Sequence, residues 1–273
     1  MKDEEIEALR AELWKFYEEN GRHDLPWRMA EADGSFDPYK IVVSELMLQQ
    51  TQVPRVVPKF NDFLVKFPSF KVLAAAPLAD VLRAWSGLGY NRRAKFLWQT
   101  ARVVSKDFGG TLPQTREALI TLPGIGPNTA GAILAYAFNQ PAVFVETNIR
   151  SVFIHHFFAD EEKVADKAII EKLEMLLNGE PEPRALYWAL MDYGTFLKQT
   201  TGNAARRSTG YAKQSAFHGS RRQVRGTVLR ALQERPKNFA ELAAEVSDGR
   251  LQSVLDDLLR EEMISKQNGV YQL

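Results

Sequence analysis

The chain has 273 residues, of which 45% are hydrophobic and 25% are charged, with a formal net charge of +1. This composition is ordinary for a globular protein and leaves room for two domains and a small third one. No run of 18 apolar residues occurs, which argues against a membrane span. The acidic amphipathic start, MKDEEIEALRAELWKFYEEN, lacks the form of a signal peptide. We therefore expect a cytoplasmic protein.

The residue types disfavour thiol and metal chemistry. The chain has no cysteine, which excludes a disulfide, a thiolate nucleophile and an iron–sulfur cluster held by cysteines. The four histidines, at positions 23, 155, 156 and 218, do not have the spacing of metal ligands. We expect no metal site built from side chains and no required cofactor.

Most of the chain shows the apolar period of helices, and no strand alternation occurs before residue 220. Asp37 and Pro38 have the residue types of a helix N-cap and first helical position. A short extended piece, 142–145, precedes Glu146. Helices are predicted over residues 3–19, 38–52, 54–67, 77–85, 92–108, 116–122, 127–138, 149–158, 166–178 and 184–197. The body is therefore predicted to be all-α.

The pattern changes after residue 220. Three short helices are predicted within residues 224–262, followed by a β-hairpin, because Asn268-Gly269 favours a two-residue type I′ turn. This order is typical of a winged-helix-like α+β module, placed here at 221–273. Its third helix carries four acidic residues, Asp256, Asp257, Glu261 and Glu262. Their charge argues against insertion into a DNA groove and favours a structural or protein-contact role.

A tight glycine turn, Leu122-Pro123-Gly124-Ile125-Gly126, separates two apolar-periodic segments. Both glycines allow a positive φ, and a helix that starts at Pro127 would point its first N–H groups at a phosphate. The pattern is typical of a helix-hairpin-helix, which binds a nucleic-acid backbone without reading its sequence. The alternative is a plain corner between two helices.

Two carboxylates are candidates for catalysis. Glu45 lies four residues after Ile41 and three before Leu48, on the apolar side of its predicted helix. Desolvation there would raise its pKa and keep it protonated, as a general acid requires. The alternative is a carboxylate at the edge of that face, paired with an arginine. Glu146 follows Gly126 by twenty residues. Cleavage of an N-glycosidic bond needs both a proton donor and a negative charge, and the pair favours that reaction.

A basic segment points to a polyanionic partner. Residues 193–233 contain no Asp or Glu but eight Lys or Arg, and such a segment in a nearly neutral chain is typical of a DNA contact. The alternative is a solvated basic loop. The predicted contacts in it are Arg206, Arg207, Arg221 and Arg222. Polar residues at helix ends and turns could fill the space left by an extruded base, namely Gln49, Gln50, Gln52 and Tyr90. Thr51, in the same turn, is also expected to contact DNA.

Several ordered motifs resemble one known family. They are DLPWR (24–28), SELMLQQTQV (44–53), GLGYNRRA (87–94), LPGIGPNTAGAI (122–133), ETNIRSV (146–152) and ALMDYG (189–194). Together they closely resemble the MutY-type adenine DNA glycosylases of the helix-hairpin-helix superfamily, which also contains endonuclease III. The resemblance extends from about Asp24 to Gly194.

The resemblance implies a two-domain helix-hairpin-helix glycosylase fold with DNA bound in the cleft. A six-helix domain would occupy 29–139, and a flanking-helix domain would combine 1–28 with 140–197. Residues 198–220 would form a basic linker in place of the iron–sulfur loop. The resemblance also allows a monovalent cation at the hairpin carbonyls.

The resemblance assigns roles to individual residues. Glu45 matches the acid that protonates the adenine, Glu146 the catalytic aspartate, and Asn148 an asparagine beside that aspartate. Asn128 stands where endonuclease III-type lyases have their lysine nucleophile, which implies a monofunctional hydrolase in which Asn128 and Asn148 orient water and substrate. Gln50 and Tyr90 match residues inserted into the DNA stack. The expected base-pocket wall is Leu25, Trp27, Arg28 and Trp188.

Some positions depart from the family. Glu146 is one methylene longer than the family aspartate, at a site where about 1 Å of misplacement can cost roughly 100-fold. His23 replaces an arginine, and Trp188 replaces a Glu or Gln. The four cluster cysteines are replaced by Lys198, Ala205, Ser208 and Gln214. The 8-oxoguanine-recognition domain is replaced by the winged-helix-like module.

The sequence therefore predicts a cluster-free, monofunctional DNA glycosylase of base excision repair that removes a mismatched base, adenine opposite 8-oxoguanine or guanine by preference. One alternative is the same fold acting on thymine or uracil opposite guanine. Another is a catalytically impaired DNA-binding homologue. The expected partner is double-stranded DNA with a mismatch or damaged base, and a monomeric, nucleoid-associated protein is expected.

Overall fold

The computed structural model describes residues 2–214 and 216–273, and within them it contains α-helices, two 3-10 turns (Pro26–Arg28 and Ala204–Arg207) and three short strands. The helices are α1 Lys2–Asn20, α2 Pro38–Leu48, α3 Val53–Lys66, α4 Phe70–Ala75, α5 Leu78–Ala84, α6 Arg92–Asp107, α7 Arg116–Leu119, α8 Pro127–Phe138, α9 Thr147–Phe157, α10 Asp166–Leu177, α11 Pro183–Thr200, α12 Arg221–Glu234, α13 Phe239–Val246 and α14 Leu251–Arg260. The strands are β1 Lys237–Asn238, β2 Ser265–Gln267 and β3 Val270–Gln272. In the part of the chain so described, no helix is both long and apolar enough to cross a bilayer.

The predicted all-α body with a small terminal α+β module is confirmed. The structure differs from the predicted elements at three places: the end of α2, the segment 142–145 and helix α4. Helix α2 ends at Leu48 and not at residue 52, because Gln50 adopts a left-handed φ of 56°. The segment 142–145 is irregular and forms no strand. Helix α4 was not predicted, although Ser69 caps it by accepting a bond from the Val72 amide.

Contacts divide the chain into two compact units, Met1–Glu45 with Leu112–Lys213, and Leu46–Thr111 with Gln214–Leu273. This grouping places the predicted hairpin in the first unit and the winged-helix-like module in the second. The domain limits predicted at residues 28, 139, 197 and 220 stay a prediction.

In the first unit, α11 packs against α1, α8 and α9. Its Pro183 occupies the first helical turn, where a missing N–H costs nothing. A side chain at Gly194 would collide with the Asn148 carbonyl, so glycine lets α11 and α9 touch backbone to backbone. The core of this unit includes Leu9, Leu13 and Phe153, all nearly inaccessible.

In the second unit, α3 places Val56, Phe60 and Phe63 on one buried face, with Phe63 edge-on to Trp85. Helix α6 packs against α4 and α5. The terminal module joins α12 to α13 and α14, with a sheet of order β1-β3-β2. Its hairpin is confirmed, because Asn268 and Gly269 have φ of 49° and 80°, as a type I′ turn requires.

Acidic residues at the end of the module's third helix form ion pairs within the second unit. Glu261 pairs with Arg92 and Arg225 at 2.5 Å each, and Glu262 pairs with Lys95 at 3.0 Å. The acidic end of α14 therefore faces the basic start of α6, which accounts for charges that would be unfavourable next to DNA.

Candidate active site

The predicted hairpin lies between α7 and α8. Gly124 has a left-handed φ of 78°, whereas Gly126 is the N-cap of α8 with an ordinary φ of −87°. The positive φ predicted as possible at both glycines is therefore used at only one of them. Leu122 and Ile125 are buried, so their side chains anchor the turn, and only their backbone groups remain for a phosphate.

Three side chains fix the irregular segment that leads to Glu146. The Tyr187 hydroxyl donates to the Ala142 carbonyl at 2.8 Å, and an Arg116 nitrogen donates to the Val143 carbonyl at 2.7 Å. The Asn128 amide donates to the Val145 carbonyl at 3.0 Å. The sequence-predicted catalytic residue Asn128 is thus placed where it holds the backbone immediately before Glu146.

Glu146 is the N-cap residue of α9, but its side chain accepts no capping bond. Its Oε1 is buried without a hydrogen-bond partner among the described residues. Burial raises the pKa of this carboxyl to about 7, and the positive charges of Lys198 and Arg150 oppose that rise. Near neutral pH the group therefore exchanges its proton readily and is free to accept a contact from a ligand.

The negative charge of Glu146 acts on Glu45. Burial, together with the charge of Glu146, raises the pKa of Glu45 to about 8, and Arg28 opposes this. Burial also raises the pKa of Tyr136 well above its usual range, with contributions from both carboxylates. The site thus contains a carboxyl group that is protonated at neutral pH beside one that ionises first, as acid and stabilising anion require.

A buried ion pair forms one side of the site. Arg28 donates to the Asp192 carboxylate at 2.7 and 2.9 Å, and both residues are buried. Arg22 donates to the same carboxylate through its amide at 2.8 Å and its side chain at 2.7 Å. These bonds hold the pKa of Asp192 below its ordinary value despite burial. Arg28 is consequently fixed in place.

Aromatic rings pack beside this ion pair. Trp188 is stacked on Tyr136 with ring centres 6.1 Å apart and planes 13° apart, and it is tilted against Phe36. The Arg28 guanidinium lies 5.4 Å from the Trp188 ring centre. The other predicted wall residues, Leu25 and Trp27, are also buried. The stacked rings are themselves buried, with Tyr136 5% and Trp188 7% exposed, and Tyr136 lies near both carboxyl groups.

Asn148 sits in the first turn of α9. Its amide nitrogen contacts the Met191 sulfur at 3.8 Å, and its Oδ1 is buried without a hydrogen-bond partner among the described residues. Glu146 and Asn148 therefore each keep an unsatisfied acceptor atom, which is costly unless a ligand or water satisfies it.

The residues at the family's cluster spacing do not fit an iron–sulfur cluster, because Lys198, Ala205, Ser208 and Gln214 offer no thiolate. In the first unit this region is held by hydrogen bonds instead. The Ser208 hydroxyl donates to Asp166 at 2.8 Å, and Arg150 donates to the same carboxylate at 2.9 and 2.6 Å. The described residues also contain no group of three or more His, Asp or Glu arranged for a metal.

Two arginines predicted to contact DNA differ in their surroundings. Arg207 donates to the carbonyls of Phe158, Ala159 and Glu161 at 2.6 to 3.0 Å, after the end of α9. Its role is at least partly structural. Arg206 is exposed, which is compatible with contact to a polyanion.

In the second unit, Arg93 ties together the two turns predicted to insert into DNA. Its buried guanidinium donates to the Gln49 carbonyl at 2.5 Å, to the Thr51 hydroxyl at 3.0 Å and to the Gly89 carbonyl at 3.2 Å. Gln50 and Tyr90, at the tips of these turns, both adopt a left-handed φ, of 56° and 47°. Strained conformations of this kind persist where the surroundings fix them, as Arg93 does here.

The terminal module also contacts Tyr90. The Arg222 guanidinium lies 4.8 Å from the Tyr90 ring centre and donates to its hydroxyl, as does the Gln214 amide. Arg221 instead pairs with Asp257 at 2.5 Å. Of the two module arginines predicted to bind DNA, Arg222 is therefore the one next to Tyr90, a residue predicted to insert into the base stack.

Sequence reasoning missed several of these residues. Asp192 is a buried acid on an apolar helix face, so the argument that singled out Glu45 would have found it. Arg93 lies within the quoted GLGYNRRA motif, but nothing in the sequence shows which carbonyls it contacts. Tyr136 and Arg22 carry no sequence signal of their own.

Comparisons with known proteins identify the family of this chain. Residues 43–178 match the HhH-GPD superfamily base excision DNA repair protein family. An adenine DNA glycosylase of Mycobacterium tuberculosis is 35% identical, over 93% of this chain and 89% of the relative. An adenine DNA glycosylase of Buchnera aphidicola is 38% identical over 60% of this chain, which spans 46% of the relative's length. A thermostable thymine-DNA glycosylase structure superposes with a TM-score of 0.60 at 29% identity, covering 70% of this chain and 86% of the other.

The fold and the site thus define a helix-hairpin-helix protein of the base excision repair superfamily. The chain belongs, within that superfamily, to the family of the adenine DNA glycosylases.

Proposed function

We propose that the protein is a DNA glycosylase that hydrolyses the N-glycosidic bond of a mismatched adenine, opposite 8-oxoguanine or guanine. The observation that carries the proposal is the pair of carboxyl groups, Glu45 with its pKa raised to about 8 beside Glu146 with its pKa raised to about 7. Family membership supports the proposal, since the two curated relatives described above are adenine DNA glycosylases.

The reaction divides between the two carboxyl groups. Glu45 donates its proton to a ring nitrogen of the extruded adenine, so that the base leaves as a neutral molecule when the bond to C1′ breaks. Ionised Glu146 stabilises the resulting sugar cation, directly or through a transient covalent adduct. Water then adds to C1′ and releases a proton. Asn128 fixes the backbone before Glu146, and the unsatisfied Oδ1 of Asn148 is suited to accept a hydrogen bond from that water.

The same proposal assigns DNA contacts in each unit. In the first, the exposed backbone of Gly124 and Gly126 would bind a phosphate at the start of α8. In the second, Gln50 and Tyr90 would enter the base stack, held in shape by Arg93. Neutral Asn128 in place of a lysine supports hydrolysis without strand cleavage at that position.

A second candidate is excision of thymine or uracil opposite guanine. Two observations favour it: Trp188 is stacked on Tyr136 where the resemblance implies Glu or Gln, and the thymine-DNA glycosylase structure matches the fold. Both candidates use the same acid and anion, and they differ in the base that the pocket accepts.

An incision assay decides between them. Purified protein is incubated with duplexes containing A:8-oxoG, A:G, T:G or U:G, and abasic sites are then cleaved with alkali. Cleavage of the adenine strand in the first two duplexes is expected. Cleavage only of T:G or U:G would favour the second candidate, and intact duplexes with retained binding would identify a catalytically impaired homologue.

A further inference from the structure

Lys198 lies on the face of α11 that meets the first turn of α9, the helix for which Glu146 is the N-cap residue. With 3.6 residues per turn, Met191, Gly194 and Lys198 share a face of the helix. Gly194 touches the backbone of Asn148, and Met191 contacts the Asn148 amide. The partly buried Lys198 side chain therefore lies in the next turn along the surface that covers the first turn of α9.

Two other cations, Arg150 and Arg22, act on Glu146 or Lys198, and each already has a carboxylate partner. Arg150 is bound in a bidentate manner by Asp166, and Arg22 is bound by Asp192. Lys198 makes no ion pair within 4 Å in the stretches that the structure describes, 2–214 and 216–273. Its ammonium group is thus the one cation of the three that is not committed to another acid.

Lys198 and Glu146 influence each other through charge, without a direct ion pair in the described part of the chain. Burial lowers the pKa of Lys198, and the negative charge of Glu146 opposes that effect more than Arg22 adds to it. Conversely, Lys198 is the first of the two charges that oppose the raised pKa of Glu146. The titratable and charged groups that face this pair are Glu45, Tyr136, Arg150 and Arg22.

We propose that Lys198 is a positioning residue whose positive charge keeps Glu146 ionised during base excision. This inference rests on the proposed function and deepens it. A neutral Glu146 could not stabilise a sugar cation, and the neighbouring Glu45 is protonated, so a nearby ammonium group is what favours the ionised form of Glu146. Lys198 stands at a position where the resemblance implies a cluster cysteine, so a site used for iron in relatives would here supply charge to catalysis.

The test compares Lys198→Met, which removes the charge, with Lys198→Arg, which keeps it. Lys198→Gln serves as a second neutral variant if the methionine variant fails to fold. Lys213→Met is the matched control, because Lys213 is an exposed lysine of the same basic segment. Single-turnover excision from an A:8-oxoG duplex is measured from pH 5.5 to 9, together with DNA affinity. The pKa of Glu146 is read separately by carboxyl carbon NMR, with Glu146→Gln used to assign the signal.

Loss of the Lys198 charge should shift the acid limb of the pH–rate profile to higher pH by roughly one unit, as expected when a carboxylate loses a neighbouring cation. Excision at pH 6 then falls about tenfold. The NMR titration of Glu146 should move by the same amount, the arginine variant should behave like wild type, and DNA affinity should stay within about threefold of the control.

Other results would overturn the inference. A loss of affinity without a pH shift would make Lys198 a phosphate contact, and unchanged profiles and NMR titrations would leave it without a role. Borohydride trapping of a DNA adduct that requires Lys198 would make it a nucleophile. If wild type excises no base, the proposed function fails, while the NMR titration still decides whether the charge of Lys198 acts on Glu146.

Discussion

Arg28 and Asp192 form a buried bidentate ion pair in which the two arginine nitrogens lie 2.7 and 2.9 Å from the carboxylate oxygens. The pair joins the DLPWR motif to the ALMDYG motif, which are 164 residues apart in sequence. It also fixes the guanidinium that lies over Trp188 and that opposes the burial-driven rise in the pKa of Glu45. One contact thereby sets both the wall of the candidate base pocket and the charge next to the general acid.

Breaking this pair should destabilise the fold strongly. Asp192→Asn leaves a buried arginine without its counter-charge, which costs about 3 to 5 kcal/mol of unfolding free energy. Urea denaturation followed by circular dichroism measures the loss. Asp80→Asn is the control, since its ion pair with Arg83 is solvent-exposed and should contribute less than about 1 kcal/mol. Equal losses in the two variants would contradict the structural role given to Asp192.

The two raised pKa values predict a narrow pH optimum. Because Glu146 must be ionised, the excision rate should fall as the pH drops below about 7. Because Glu45 must be protonated, the excision rate should also fall as the pH rises above about 8. Because the two carboxyl groups titrate jointly, each limb of the pH–rate profile reports the pair and not one residue alone. Single-turnover rates on an A:8-oxoG duplex from pH 5 to 10 give the profile. A plateau extending down to pH 5 would show that Glu146 ionises normally or is not required.

Two substitutions of Glu146 should distinguish the effect of its charge from the effect of its side-chain length. Glu146→Gln removes the anion and should reduce excision by at least about 100-fold, as loss of a preorganised electrostatic group does. Glu146→Asp restores the residue type that the resemblance implies and should retain activity to within about tenfold of wild type. Rates are measured under single-turnover conditions with both proteins at saturating concentration. If the aspartate and glutamine variants were equally inactive, the exact position of the carboxylate would matter more than its charge.

Tyr90 should contribute to DNA binding through its ring. Tyr90→Ala removes a stacking surface worth about 1 to 3 kcal/mol, which corresponds to roughly a 5- to 150-fold weaker affinity. Tyr90→Phe keeps the ring but loses the hydroxyl that accepts from Arg222 and Gln214, and it should bind nearly as wild type does. Fluorescence anisotropy with a mismatched duplex measures both. An alanine variant with unchanged affinity would remove Tyr90 from the set of inserted residues.

Much of the architecture could be predicted because it depends on local sequence. The apolar period located most helices, and Asn268-Gly269 located the hairpin of the terminal module. The end of α2 was missed by four residues, because the left-handed turn at Gln50 is fixed by the distant Arg93 and not by local propensity.

The site was predictable to a smaller extent. Glu45 could be found because an acid on an apolar helix face is unusual. Glu146 could be found because it follows the glycine turn by twenty residues, and the family resemblance added its role. The partners that set their charge come from distant parts of the chain: Arg28 from the N-terminal region, and Lys198 from α11. No periodicity links such positions, so only the folded structure brings them together. The winged-helix order was predictable, whereas the internal ion pairs of its acidic helix were not.

The central claim is that Glu45 protonates the leaving adenine, and Glu45→Gln tests it most directly. The measurement is the single-turnover excision rate on an A:8-oxoG duplex at pH 7.5, alongside Glu117→Gln as an exposed control and an affinity measurement for each protein. We predict that Glu45→Gln lowers the rate by about 100-fold or more, since general acid catalysis contributes on that scale, while its affinity stays close to that of wild type. Excision by Glu45→Gln at the rate of the Glu117→Gln control would contradict the account.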